Sequence, residues 1–383
     1  MYSGSMLKEP RGLRPEEIPA AVRLSNSVFY PDGRIEMGTT FPTLFSAANA
    51  DNLRVTLDDD RFVSLVGFAV RDLCLQGTTV RAALIGSVCT EIACQGKGIA
   101  GRLMKDAIAC ALRQGVVLML VSGDGPLYRR LGCVNAGLFA TVRVRKNGGR
   151  RPAISCDVRE WGTQDLPGMQ ALHHAECVRF NRDAGEMRIV LESGMAHCRS
   201  ARTWTVRVDN EPAAYLCLEG PNDHTGPRVV RAVEIAGSRL AVIASAPAIL
   251  DALDADTMEI AACAADIELA GLAREYGLSV AEEGMHGTLR IIDPRGFFET
   301  LRPWRAERLS AEENAELRID CADAVKFILG SESLAVSPEG ELAGLVFGSR
   351  ERKPLEAANS GRLRGVLDRL FPLPLPEYGL NYI

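Results

Sequence analysis

Ile18, Val22, Leu24 and Val28 recur at helical spacing, and Pro15 with acidic Glu16 and Glu17 stands where a helix begins, so an amphipathic helix is predicted over residues 13–29. The period then shortens to that of strands. Residues 53–57 alternate, Asp58-Asp59-Asp60 turns, and residues 62–73 read as a long strand that returns through Gln76-Gly77 into 79–92 as an antiparallel meander. At Gln95-Gly96-Lys97-Gly98 the period lengthens again, and Ile99, Leu103, Ile108 and Leu112 mark a helix that stops near Gly115. A buried strand at 116–121 follows, and Ser122-Gly123-Asp124-Gly125-Pro126 opens a short helix through Leu131 that Gly132 caps.

After the polar, glycine-rich run Lys146-Asn147-Gly148-Gly149-Arg150-Arg151-Pro152 the order repeats. Leu166, Met169, Leu172 and Cys177 mark a helix; strands are predicted at 203–208, 213–218 and 229–235, then a helix at 246–253, a strand at 258–263 and a helix at 267–276. Leu272-Ala273-Arg274-Glu275-Tyr276-Gly277-Leu278 echoes Leu127-Tyr128-Arg129-Arg130-Leu131-Gly132-Cys133 at the matching place. A third pattern gives strands at 288–292, 317–321 and 343–347, helices at 296–301 and 360–370, and an extended tail from Phe371-Pro372-Leu373-Pro374 onward. The expected fold class is α/β (α+β) in three units, residues 7–148, 149–286 and 287–383.

Composition narrows the function. With 47% hydrophobic and 24% charged residues the chain can bury a core and solvate its surface, so it reads as an ordinary soluble protein. The net charge of -5 comes without a basic stripe, which disfavours nucleic acid and mildly favours cationic substrates. Eleven cysteines, odd in number and without a C-x-x-C pair, argue against a disulfide framework and a zinc site; adjacent His173 and His174 cannot share a ligand, so no metal is expected. No uninterrupted apolar run of spanning length occurs, and the first residues lack a targeting pattern, so no membrane partner and a cytoplasmic location are expected. Gly4-Ser5-Met6 reads as a cloning remnant that would make Met6 the natural start.

The chemistry concentrates in Gly86 through Ala100, a strand, a tight turn and a helix start. Gly96 and Gly98 let backbone N–H groups converge at a helix N-terminus, which suits an anion such as a pyrophosphate; in isolation a plain tight turn explains them equally well. The turn lacks the G-K-[ST] ending of a nucleotide phosphate loop and the full G-x-G-x-x-G fingerprint, which leaves coenzyme A. Glu91 and Asp124, near the strand ends, are candidate proton acceptors for an amine.

Gln95-x-x-Gly98-x-Ala100 after the Val88-Cys89-Thr90 strand resembles the [RQ]-x-x-G-x-[GA] motif of GCN5-related N-acetyltransferases (GNAT), and Leu127-Tyr128-x-x-x-Gly132 resembles their F/L-Y-x-x-x-G segment. The resemblance implies a GNAT mixed sheet with flanking helices. It implies acetyl-CoA as cosubstrate, held by Val88, Cys89, Thr90, Gln95, Gly96, Lys97, Gly98, Ile99 and Ala100, with Tyr128 protonating the departing thiolate. The three-part plan further resembles Eis-type (enhanced intracellular survival) acetyltransferases, which have a degenerate second GNAT copy and a sterol-carrier-protein-like (SCP2-like) C-terminal domain. That likeness implies that the terminal carboxylate of Ile383 enters the active site, and the apolar, aromatic end Tyr378 to Ile383 fits a docked tail. In the second unit Ala273 stands where Tyr128 does in the first, and Gly237-Ser238-Arg239 lacks the x-x-G-x-[GA] continuation, so it should bind no coenzyme A. Gln95 in place of the commoner arginine, and an isoleucine rather than an aromatic terminus, depart from the pattern. The expected activity is acetylation of a primary amine on a small cationic molecule: an aminoglycoside, a polyamine or a lysine-type amine. A homo-oligomer is compatible with this. The alternatives are a non-catalytic acyl-CoA-binding regulator and a lipid carrier using the C-terminal domain.

Overall fold

The structure is a computed structural model that describes residues 7–221, 227–350 and 361–383. Gly4-Ser5-Met6 and the expected start of the last helix at Ser360 lie outside the described residues.

The first unit runs β1 (Arg11–Gly12), α1 (Ile18–Phe29), α2 (Met37–Thr40), β2 (Leu53–Asp58), β3 (Arg61–Leu75), β4 (Thr78–Thr90), α3 (Ile99–Arg113), β5 (Leu118–Val121) and α4 (Pro126–Arg130). The meander arises as the alternation predicts. Gln76 and Gly77 both adopt positive φ in the two-residue turn between β3 and β4, the conformation that matches the twist of a tight hairpin. β4 ends at Thr90, and a 3-10 turn over Ile92–Cys94 replaces the last residues of the expected strand.

The chain continues through β6 (Leu138–Arg145), β7 (Asp157–Glu160), α5 (Leu166–Ala175), β8 (Val178–Phe180), α6 (Ala184–Glu192), β9 (Met195–Ala196), β10 (Arg199–Val208), β11 (Glu211–Glu219), β12 (Val229–Gly237), α7 (Arg239–Ala252), β13 (Thr257–Cys263), α8 (Ile267–Glu275) and β14 (Ser279–Gly284). Then come β15 (Thr288–Ile291), α9 (Pro294–Thr300), α10 (Arg302–Arg308), α11 (Ala311–Glu316), β16 (Arg318–Cys321), β17 (Val325–Leu329), β18 (Glu332–Val336), α12 (Glu341–Phe347) and α13 (Arg362–Leu370).

Among the described residues the strands form three sheets, and the fold is the expected α/β mixture of mixed sheets with flanking helices. The first has the order β1-β2-β3-β4-β5-β15 with β8 also on β3; the second is β14-β6-β13-β12-β11-β10-β7 with β9 on β10; the third is β16-β17-β18. Each large sheet contains one parallel pair joined by a helix, β4 with β5 across α3 and β12 with β13 across α7. The sheets also trade strands. β6 follows the last helix of the first unit yet pairs with β13 and β14 in the second sheet, while β15 closes the first sheet against β5.

Residues 343–347, expected as a strand, are helical and lie within α12. Every residue from Leu342 to Phe347 is buried, so the apolar run has no exposed face to reveal its period, and Glu341 fixes the helix start by accepting from the Ser337 N–H at 3.0 Å. The helix expected at 246–253 begins seven residues earlier, at Arg239, because Ser238 caps it by accepting from the Ala241 N–H.

Candidate active site

β4 and β5 pair from Ala82↔Leu118 to Ile85↔Val121, where β5 ends; β4 goes on to Thr90 with no strand partner on that side among the described residues. The two diverge as a fork. A bulge enforces the divergence: Leu65 faces Cys89 and Gly67 faces Gly86, so Ser87 and Val88 together oppose Val66. Ser87 adopts φ 51°, and its buried Oγ meets Ser25 Oγ of α1 at 2.7 Å, which ties the bulge to the first helix. Beyond the bulge, Ser64 Oγ donates to the Cys89 carbonyl at 2.9 Å. Burial pushes the Cys89 thiol up to about 12, so it stays protonated and is no nucleophile.

The turn from β4 into α3 is exposed from Gln95 to Gly98, and Gln95 Nε2 donates to the Thr90 carbonyl at 3.1 Å. Gly96 and Gly98 have φ of 76° and 75°, and a Cβ on either would project into open space. Gly98 is the N-cap of α3 and no side chain caps the helix, so its first N–H groups face that space. Such a cradle fits a pyrophosphate. Lys97 is exposed beside it, Ile99 is buried beneath and Ala100 is half-buried, while Val88, Cys89 and Thr90 line the fork.

The C-terminus fills the mouth of the fork. Ser122 Oγ donates to an Ile383 carboxylate oxygen at 2.9 Å, and a Cβ on Gly86 would sit only 2.6 Å from the Ile383 carboxyl carbon. Tyr128 lies in the first turn of α4 just past this point, its ring lying against Gly123, and burial pushes its phenol up to about 12, so it is a proton donor at neutral pH. Glu91 is paired with Arg61, away from Ser122, whereas Asp124 lies beside the fork mouth.

A cleft of about 650 Å³ opens from Ser122, Gly123 and Asp124. Its other walls come from far along the chain, among them His197 before β10, Glu219 at the end of β11, Glu283 of β14, and Glu377 and Tyr382 of the tail. Carboxylates dominate it: Asp124, Glu219, Glu259, Glu283 and Glu377 against Arg199 and Arg231. Arg143 pairs with Glu259 at 2.7 Å and Arg231 lies 3.6 Å from Glu283. Burial raises the Glu377 carboxyl, against the pull of His197 and Arg231. His197 Nδ1 lies 2.5 Å from Glu219 Oε1, and the Tyr382 ring packs edge-on against the imidazole at 4.7 Å between centroids. Yet His197 Nε2 is buried with no hydrogen-bond partner among the described residues, a cost of roughly 1–3 kcal/mol for a group left so.

None of these cleft residues outside the Ser122-Gly123-Asp124 turn and the tail stands near the motif in sequence. The histidines carry no spacing signal: His173 is buried, whereas His197 lines the cleft.

The second sheet has a fork of its own. β12 and β13 pair from Val229↔Thr257 to Ala232↔Ile260 and then part. Here the tail plugs the gap: the Leu380 N–H donates to Glu234 Oε2 at 3.2 Å, and Leu380 packs with Met169, Tyr215, Val233 and Ala236. At the start of α7 the Gly237 N–H already donates to Glu176 at 2.8 Å, and Arg239 grips Glu176 at 2.6 Å and Asp266 at 2.7 Å. The place of an incoming anion is taken by side-chain carboxylates. Beside the plug a cavity of about 580 Å³ remains, lined by Arg179, Glu234, Ser238 and Arg239 among others.

Residues 9–136 match a family model described as an acetyltransferase (GNAT) domain. A search of curated proteins finds no match. Among solved structures the chain is similar to a conserved protein of unknown function from Enterococcus faecalis V583 described as a probable N-acyltransferase, at 14% identity and TM-score 0.66 over 97% of this chain and 98% of that one. It is similar to Eis1 from Mycobacterium abscessus at 14% identity and TM-score 0.65, over 98% and 100% of the two chains. A GCN5-related N-acetyltransferase from Anabaena variabilis ATCC 29413 aligns at 13% identity and TM-score 0.64, over 96% and 97%. At such identities the structures show a shared fold alone, and the family match is a likeness of residues 9–136 to a GNAT acetyltransferase domain, a class that uses acetyl-CoA. Among the described residues no helix is long and apolar enough to cross a membrane, and no three metal-ligating side chains gather.

Proposed function

We propose that the protein is an acetyl-CoA-dependent N-acetyltransferase of the Eis type, acting on a primary amine of a small cationic substrate. The observation that carries this reading is the fork of the first sheet, which holds an uncapped glycine cradle on one side and opens on the other into a carboxylate-lined cleft. In this reading Gly96, Gly98 and the first turn of α3 bind the pyrophosphate, and the unpaired edge of β4 from Val88 to Thr90 orients the acyl carbonyl. Acetyl-CoA supplies the acyl thioester when bound. Tyr128 gives its proton to the departing sulfur, and the Ile383 carboxylate, fixed by Ser122, attracts and orients the ammonium. The acidic cleft favours substrates with positive charge. The second unit is a degenerate GNAT copy that walls the cleft, and the C-terminal unit is SCP2-like, delivering the tail across both forks.

The test is a coenzyme A-release screen over aminoglycosides, polyamines and lysine-type amines. Turnover with at least one amine class supports the reading. Tight acetyl-CoA binding without amine-dependent release supports a non-catalytic regulator instead.

A further inference from the structure

His197 belongs to the second unit, yet it stands in the wall of the cleft that leaves the first fork. It lies in a left-handed turn, φ 47°, between β9 and β10, so its ring is placed by backbone conformation and by Tyr382 packed against it. Its Nδ1 lies 2.5 Å from Glu219 Oε1, while the buried Nε2 has no hydrogen-bond partner among the described residues. With the Nδ1 hydrogen directed at Glu219, Nε2 is an unsatisfied acceptor at the edge of an acidic cleft and suits an N–H donor, and an ammonium is one. We propose that His197, oriented by Glu219, is the group that removes the proton from the substrate ammonium, so that the degenerate second unit contributes directly to catalysis.

This inference rests on the acetyltransferase reading above and assigns a role that reading leaves open. Basicity decides between the candidates. An amine of pKa near ~10 gives up a proton more readily to an imidazole, ordinarily near ~6.5, than to an α-carboxylate, ordinarily near ~3.5. The Ile383 carboxylate is therefore better suited to hold the positive charge than to take the proton. The first proton passes from the ammonium to Nε2 and leaves the lone pair on nitrogen; nitrogen forms the C–N bond to the acyl carbon, the C–S bond breaks as sulfur takes the proton of Tyr128, the second proton shed by nitrogen as the amide forms restores the Tyr128 phenol, and His197 releases the first proton to solvent. Asp124, Glu219, Glu377, His286, Arg231 and Tyr382 are the titratable or charged groups that face His197 across the cleft.

The experiment is His197→Asn in the full chain. Asparagine tolerates the left-handed backbone, and its amide can stand in for Nδ1 beside Glu219, so the change removes Nε2 and little else. With an amine that wild type acetylates, kcat should fall by about 10²-fold or more and the acidic limb of the kcat/KM profile should disappear. Acetyl-CoA affinity by calorimetry and Tm should stay at wild-type values. Glu219→Gln should give a smaller fall with a displaced limb, and it decides the matter if His197→Asn does not fold. A wild-type pH profile with kcat within twofold in the variant overturns the proposal while leaving the acetyltransferase reading intact. Failure of wild type to turn over any amine overturns that reading, and this proposal with it.

Discussion

The two forks are built alike and finished differently. In each, a parallel strand pair joined by a helix stops pairing after four residues and opens, β4 from β5 and β12 from β13. In the first, glycines in positive φ leave the helix N-terminus facing open space; in the second, Glu176, Glu268 and Asp266 meet Gly237 and Arg239 at that place. The tail enters both, with its carboxylate at Ser122 in the first and its Leu380 backbone and side chain in the second. The same sheet geometry thus leaves its helix-start donors open or closes them according to which groups meet its free backbone N–H groups.

The sharpest way to break the comparison is at Tyr128, beside the first fork. Tyr128→Phe should lower kcat by roughly 10²–10⁴-fold with little change in acetyl-CoA affinity, because the hydroxyl acts as charge develops on sulfur and not when the thioester binds. Wild-type kcat would remove Tyr128 from the mechanism.

One glycine added after Ile383 moves the carboxylate off Ser122 while leaving the Leu380 plug in the second fork. Turnover should fall by about 10-fold to 10²-fold with Tm unchanged. Full activity would mean that the tail only packs.

The second fork should make folding stability sensitive to acid. Burial, with Arg182 nearby, lowers the His173 imidazole to about 4, so the folded state holds it neutral, its Nε2 2.7 Å from the Phe180 carbonyl. An unfolded chain binds that proton at the ordinary value near ~6.5. Stability should therefore be complete above that value and fall as pH drops toward 4, by at most on the order of 3 kcal/mol. Burial would raise Glu234, but Arg182 and its hydrogen bonds hold it down to about 2, so its contribution is lost at still lower pH. His173→Gln should flatten the decline of Tm with acidification; an unchanged slope would place the acid sensitivity elsewhere.

Sequence reading reached the first fork because its features are local. Gln95 to Ala100 sets turn, helix cap and anion cradle within six residues, and Tyr128 follows at a fixed remove along one strand and one short helix. The partners in the cleft were out of reach for the opposite reason: His197, Glu219 and Glu377 meet through three different elements and no short spacing links them. The strand exchange is equally non-local, since nothing in the alternation of 138–145 says which sheet it joins. Residues 343–347 misled because an apolar run buried all round has no period. Ala273 and the missing glycine continuation were legible in the second unit, but the carboxylates that fill its fork were not, because Glu176 lies some sixty residues before the helix it meets.

The most direct test of the difference between the forks is a calorimetric titration of the full chain with acetyl-CoA, repeated with Gly98→Glu. A side chain at φ 75° is strained there, and the added carboxylate both enters the cradle and repels phosphate. The account predicts one site per chain in wild type and its loss in the variant. Two sites in wild type, or undiminished affinity in Gly98→Glu, would contradict it.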